Sequence, residues 1–263
     1  AAEQTGVPAA LIRSAALEFA SHRPATIIHP GRRVNWYGDD TQRSRAIALL
    51  TGLLGSWGRN GGLFVAAGMK IAPYPLPPYP KSERPRADGA DAVQYPFADE
   101  GITTSIRDAT LSAKPYPIKG WFVYSANLMQ ALPNEAETIK AIQQLDLLVV
   151  CDTVPSEMAG WADVVLPDTT FLERHDELLT GFGRTGWASL RQPVVAAPHD
   201  QKPAWWIAKQ LAEKLGVGAC MPFKDMEEYL AFRVEKSGHS WPKLKQDGVI
   251  MGEHKPITVE EGL

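Results

Sequence analysis

Two cysteines in 263 residues, Cys151 and Cys220, are too few for a disulfide framework and supply no CxxC pair for a metal. The six histidines (His22, His29, His175, His199, His239, His254) show no HxxxH or HxH spacing, so no zinc site is expected. No apolar run is long enough to cross a bilayer, and nothing reads as a signal peptide. A net charge of −3 gives no reason to expect a nucleic-acid partner. No GxGxxG follows a strand-like segment, which argues against an ordinary NAD or FAD Rossmann domain. The P-loop pattern is missing as well, which argues against nucleotide hydrolysis.

What remains is a globular composition, 44% apolar and 22% charged, with length enough for one large or two ordinary domains. Both ends read as interrupted. "TGVPAALIRSAALEFASHRPATIIHPG" starts within a helix that leads into a strand, and "KPITVEEGL" stops without a closing element, so a piece of a longer protein is expected. Pro8 suits a first helical turn, Leu11, Ala15, Ala16 and Phe19 follow at helical spacing, and Ala25 to His29 reads as a strand. A second helix is expected from Asp40, with Ile47, Leu50, Leu53 and Leu54 on one side and Gly55 and Gly58 closing it. Residues 73–117 are crowded with proline and charge. They read either as a linker or as a long loop lining a cleft or a partner, with a short helix near Ile102 to Ser112.

From Lys119 the pattern turns regular. "GWFVYSAN", "DLLVVCD" and "DVVLPD" are strand-like, separated by the helix-forming "PNEAETIKAIQQL" and a short "TVPSEMAGWA" turn or helix. Nearly continuous apolar strands in a β-α-β-α-β order predict an α/β fold: an open parallel sheet with helices on both faces, Rossmann-like but without GxGxxG. "WASLRQPVVAAPHD" reads as irregular extended chain, and "PAWWIAKQLAEKLG" and "DMEEYLAFRVEKSG" as helices. The expected segments are 1–72 (strand-helix part), 73–117 (surface excursion), 118–216 (nucleotide-binding core) and 217–263 (helical tail).

Ligands of open parallel sheets bind beyond the carboxyl ends of the strands. Asn127 and Asp152 end two strands joined by one crossover and should lie side by side. A carboxylate that accepts two hydrogen bonds suits a guanine edge or a ribose diol, whereas an Asn serves a base or a phosphate oxygen. Asp152 can equally cap the following "TVPSE" turn. Cys151, after Val149 and Val150, reads as a small buried hydrophobe, and Asp163 and Asp168 as structural. His29, before Pro30, is the histidine best placed to approach a ligand.

Gly120 to Leu178, "GWFVYSANLMQALPNEAETIKAIQQLDLLVVCDTVPSEMAGWADVVLPDTTFLERHDEL", resembles the nucleotide-binding region of molybdopterin oxidoreductases of the dimethyl sulfoxide reductase family. The pattern is a strand ending in an Asn-containing turn (Asn127), a helix, and a strand ending V-V-x-D (Asp152). Thr153, Ala162 to Pro167 and Glu173 follow in order. The resemblance extends to "TGVPAALIRSAALEFASHRPATIIHPG", "ALLTGLLGSWGRNGG" and "PAWWIAKQLAEKLG", and so covers most of the chain outside the proline-rich excursion. "PYPIKGWFVYSANLMQ" and "LPDTTFLERHDEL" look most like the thiosulfate and polysulfide reductase branch, with tetrathionate and arsenic enzymes sharing much of this wording.

The resemblance implies molybdenum held by two molybdopterin guanine dinucleotides, and a four-iron cluster near the N-terminus of the parent subunit. The cluster cysteines and the protein ligand to the metal would belong to a part preceding this chain, so no metal ligand is expected here and the piece alone should be catalytically silent. It further implies the remaining domains of the same subunit, an iron-sulfur electron-transfer subunit and a membrane anchor as partners, and a periplasmic location. One guanosine end of the cofactor would meet Asp152 and the Cys151 backbone, with Ser125 and Asn127 lining the mouth. Arg174 stands where a basic residue meets the nucleotide, although within "ERHDE" it can also pair with neighbouring acids. Some relatives carry an aspartate before the last long helix; here Asp200 is displaced and Ala204 stands near that place. Gly31, Arg32, Arg33 and Asn35 follow the first strand, where the family approaches the pterin and the substrate funnel. Arg32 and Arg33 could draw in an anionic substrate, or be exposed arginines at a helix entrance. Beside sulfur compounds, nitrate, formate or an arsenic oxyanion is the alternative substrate class. A non-catalytic nucleotide- or partner-binding module is the alternative of a different kind.

Overall fold

Three apolar strands with short crossovers form the centre of the chain. The computed structural model describes residues 1–29, 31, 40–64, 68–78, 82–89 and 101–254. Strands β1 (Gly120–Tyr124), β2 (Leu147–Asp152) and β3 (Val164–Pro167) form a parallel sheet in the order β1-β2-β3. Tyr124 pairs with Cys151, and Asp152 with Pro167, so the carboxyl ends of all three strands lie level. Asp163 fixes the start of β3: its Oδ2 accepts the Leu148 N–H at 2.7 Å, and its own N–H reaches the Leu148 carbonyl.

The crossovers are helical, as expected. After the short α-helix Leu128–Ala131 comes Glu135–Ile142, with Glu135 and Glu137 in its first turn and Lys140 in its last, the charge order that the helix dipole favours. The helix Glu157–Trp161 leads into β3. Val123, Met129, Ile142, Leu148, Val150 and Met158 form the core between these helices and one sheet face. On the other face, Phe122 and Tyr124 remain 49% and 45% exposed, across an apolar groove of about 580 Å³ from the helix Ala204–Lys214. Both faces therefore carry helices, and the second is covered more thinly.

The chain divides into two compact units, one of Ala1–Lys70, Leu179–Ser189 and Val249–Leu263, the other of Ile71–Leu178 and Leu190–Gly248. The second holds the parallel sheet. Its proline-rich excursion is tied down at its start. Arg233 Nε donates to the Ala72 carbonyl at 2.9 Å, the Ser237 hydroxyl accepts the Ala72 N–H, and Tyr74 stacks on Tyr229. Asp88 anchors a later part by accepting Arg86 and the Ile102 N–H, just before the helix Thr103–Ser112. The expected helix after Asp225 runs Met226–Lys236, capped by the Asp225 carboxylate on the Glu228 N–H.

Three expectations are corrected. Ala25 to His29 forms no strand; its apolar residues have no ladder partner among the described residues. "WASLRQ" is not wholly irregular, because Thr185–Ser189 is the middle strand of an antiparallel sheet with Leu179–Gly181 and Val249–His254. The tail is consequently not only helical. After the helices Met226–Lys236 and Trp241–Asp247 it returns as a strand. This sheet needs glycine at 181, since a Cβ there would stand 1.8 Å from the Trp187 indole that covers it. In the same unit, the helices Ala9–Ser21 and Asp40–Leu53 form as expected, but Leu11, Leu17, Leu50 and Leu53 are exposed.

Candidate functional site

The level strand ends bring three of the expected residues together. Ser125 follows β1 with φ at +49°, a left-handed turn that a non-glycine residue adopts at a cost of about 1 kcal/mol. Its N–H donates to the Cys151 carbonyl at 2.9 Å, extending the β1-β2 ladder by one bond and fixing where the turn leaves the sheet. Asn127 begins the short helix after β1. Asp152 ends β2, and among the described residues its Oδ1 accepts only from the Thr153 N–H, at 2.7 Å. Asp152 thus caps its own turn lightly, with one hydrogen bond to its chain neighbour.

Glu157 belongs to the same mouth and was missed in the sequence. It opens the helix after β2, and its two oxygens accept the Asn127 Nδ2 at 2.5 Å and the Gln130 Nε2 at 2.8 Å. Its own backbone N–H, and then the Asn127 amide, hold this carboxyl below the usual range, so it is ionised at neutral pH. A Ser-Glu pair after Pro155 at a helix start is the signal that could have drawn attention to it. Among the described residues the Asn127 Oδ1 is buried without a partner, as is the hydroxyl of Ser156, the residue that precedes Glu157.

Arg174 lies in a different arrangement. Its Nη1 donates to Asp168 Oδ2 at 2.6 Å and to the Thr169 carbonyl at 2.5 Å, and its Nε donates to Asp176 Oδ1 at 2.7 Å. Asp176 in turn accepts Arg191. Burial opposes the charge on Arg174, but the bonds to Asp176 and Asp168 outweigh it and push its pKa up. Asp168, with 2% of its side chain exposed, also accepts the Ala204 N–H at 3.0 Å and so fastens the start of the helix Ala204–Lys214. The pairing of Arg174 with nearby acids is therefore present, and Asp168 is the structural residue that its position after a proline suggested.

Cys151 is buried, and burial together with the charges of Asp168 and Asp152 pushes its thiol up to about 11. It packs as a small hydrophobe, and its carbonyl accepts the Ser125 N–H. Gly31 lies in the first unit with φ at +70°, its N–H donating to His29 Nδ1 at 2.9 Å. Arg32, Arg33 and Asn35 fall outside the described residues. Among the described residues, no three His, Cys, Asp or Glu side chains come together to hold a metal, and no helix is long and apolar enough to cross a membrane.

The family profile described as "Molybdopterin oxidoreductase" matches residues 11–214. The thiosulfate reductase molybdopterin-containing subunit PhsA of Salmonella typhimurium is 34% identical over 264 residues, covering 95% of this chain and 35% of that protein. The arsenate respiratory reductase molybdopterin-containing subunit ArrA of Chrysiogenes arsenatis is 29% identical, covering 81% of this chain and 27% of that protein. Among solved structures, acetylene hydratase from Pelobacter acetylenicus superposes with a TM-score of 0.73 at 22% identity, over 96% of this chain and 38% of that one, a likeness of fold alone. The chain thus spans well under half the length of these relatives. With most of its length matched by one profile, the chain belongs to the molybdopterin oxidoreductase family, a membership that implies a molybdenum–pterin cofactor.

Proposed function

We propose that this chain is the nucleotide-holding part of a molybdenum-dependent oxidoreductase that acts on an inorganic sulfur compound (thiosulfate, polysulfide or tetrathionate). The mouth formed by Ser125, Asn127 and Asp152 would receive one guanosine end of a bis(molybdopterin guanine dinucleotide) cofactor. One observation carries this reading: the Asp152 carboxylate, which among the described residues accepts from its chain neighbour Thr153, stands at the level ends of two parallel strands. Its remaining acceptor capacity fits a group bearing N–H and O–H donors, such as a guanine edge or a ribose diol.

When bound, the cofactor supplies the redox-active metal for oxygen- or sulfur-atom transfer. This chain's residues bind and orient. Asp152 accepts from the nucleoside, the fixed turn at Ser125 shapes the mouth, and the Cys151 backbone holds the β1-β2 edge in register. Arg174 contributes through the part of its guanidinium not engaged by Asp168 and Asp176. Gly31 and Asn35 are proposed toward the pterin, and Arg32 and Arg33 toward the substrate anion. In the parent protein we place a four-iron cluster in a preceding part, an iron-sulfur subunit and a membrane anchor as partners, and a periplasmic site of action.

The similarity to PhsA favours a sulfur substrate, and that to ArrA keeps an arsenic oxyanion as the second reading. The test is substitution of Asp152 by Ala in the full-length enzyme, with metal analysis, release of GMP on acid hydrolysis, and parallel assays with thiosulfate, tetrathionate, polysulfide and arsenate. Loss of bound GMP and molybdenum in the variant supports the site, and turnover of a sulfur compound by the parent supports the substrate. Full cofactor content in the variant overturns the site, and turnover of arsenate alone overturns the substrate.

A further inference from the structure

The second face of the parallel sheet is apolar well beyond the part that faces a helix. Val123, Leu148 and Val150 belong to the core, so by alternation Phe122, Tyr124, Leu147, Val149, Cys151 and Val164 lie on the opposite face. Phe122 pairs with Val149 and Val149 with Val164, which makes an unbroken apolar row across three strands. The helix Ala204–Lys214 stands across the groove from Phe122, Tyr124 and Cys151. Toward the strand starts, Leu147 and Val164 are left 46% and 43% exposed.

The gap is built in. Asp168 Oδ1 holds the Ala204 N–H at 3.0 Å, the Pro167 carbonyl accepts the Lys202 N–H at 3.2 Å, and the Lys209 ammonium donates to the carbonyls of Met221 and Phe223. Fastened at its start and in its middle, the helix is not free to settle onto the sheet. Its groove side carries Ile207 and Leu211, continued by Leu215, which is 75% exposed. Among the described residues, none that lines the groove is charged.

We propose that this groove is an interface within the parent subunit, filled by an amphipathic helix of the same polypeptide from outside residues 1–263, its apolar side against Phe122, Leu211 and Leu215. Strands apolar on both sides need cover on both, which in open parallel sheets comes from helices of the same fold. The relatives have chain to spare for it, since the match takes up 35% of PhsA and 27% of ArrA. A segment of the same polypeptide is held at an effective concentration that a separate partner does not reach, so the face stays dry at any enzyme concentration. Cys151 lines the groove and Asp152 follows it, so the same helix would brace from behind the strand end that carries Asp152. The proposal rests on the reading of this chain as part of a larger oxidoreductase subunit, and is independent of the guanosine mouth.

The test uses the full-length enzyme with the photo-cross-linking residue p-benzoylphenylalanine in place of Leu215, irradiated and then resolved by electrophoresis and peptide mapping. The expected product keeps the mass of one subunit and joins position 215 to a peptide from outside residues 1–263. A cross-link to a second copy, to a different subunit, or only within residues 1–263 overturns the proposal. Heat inactivation of the full-length enzyme gives a second readout. A charge at an open position is nearly neutral, whereas Leu215→Glu under a covering helix should shorten the half-life at least about 10-fold. Leu215→Met should stay within about 2-fold of wild type. Equal half-lives for the Glu variant and the wild type overturn the proposal. Its failure is distinguishable from that of the larger reading. A mature polypeptide with no sequence beyond these residues overturns both, whereas a longer enzyme with its molybdenum but without the cross-link overturns the groove assignment alone.

Discussion

Asp152 and Asp168 stand at the ends of neighbouring strands in similar sequence surroundings, yet they are bonded very differently. Asp168 is sealed: Arg174 takes one oxygen, the first N–H of the helix Ala204–Lys214 takes the other, and 2% of its side chain is exposed. Among the described residues Asp152 has a single short bond, to the next residue. A carboxylate whose hydrogen-bonding capacity is used up within the fold holds the fold together, whereas one with capacity left over is available to a ligand. Position at a strand end names both as candidates, and the count of partners separates them.

Substitution should widen this contrast. The largest effect is expected for Asp168→Ala, which leaves Arg174 partly buried against a lost partner and frees the start of a helix. A loss of about 3 kcal/mol in chemical denaturation is expected. Asp152→Ala should change stability by no more than about 0.5 kcal/mol, while lowering GMP affinity about 10-fold or more. Arg174→Lys falls between: a single ammonium cannot reproduce the fork that reaches Asp168 and Asp176 together, so about 1–2 kcal/mol of stability should be lost.

Two smaller effects probe the surroundings. The Cys151 thiol, pushed up to about 11 by burial and nearby acids, should react with iodoacetamide at pH 8 at least about 10-fold more slowly than the partly exposed Cys220. Peptide mapping of the labelled native protein reads this directly. His175, between Arg174 and Asp176, has its Nε2 buried without a partner among the described residues, and burial pushes its pKa below the ordinary value. The unfolded chain therefore takes up this proton before the folded one. Its contribution is unchanged above a pH of about 6.5 and turns against folding as pH falls below it. Thermal melts across that range should show the loss, and His175→Gln should flatten it.

Much of the central fold was legible because it is local. The apolar runs at Leu147 to Val150 and Val164 to Leu166 have little choice but to be buried strands, and one short helical crossover between each pair dictates parallel neighbours. The antiparallel sheet was not legible. Its strands are short, its hairpin is glycine-rich, and Val249–His254 finds its partner some 60 residues earlier in the chain. Ala25 to His29 misled for the converse reason, since β-branched residues favour extended chain but a strand also needs a neighbour to bond. In the site, Ser125, Asn127 and Asp152 could be placed side by side from strand order alone. Glu157 could not, because its role depends on which amides reach it across two connections, and neither spacing nor residue type encodes that.

The measurement closest to the central claim is a titration of the isotope-labelled chain with GMP followed by heteronuclear NMR. Saturable shifts are expected at the backbone amides of Ser125, Asp152 and Thr153 and at the side-chain amide of Asn127, all absent in Asp152→Ala. Saturable shifts confined to the apolar groove along Ala204 to Leu211, or no shifts at millimolar GMP, would contradict the assignment of this mouth to a guanosine.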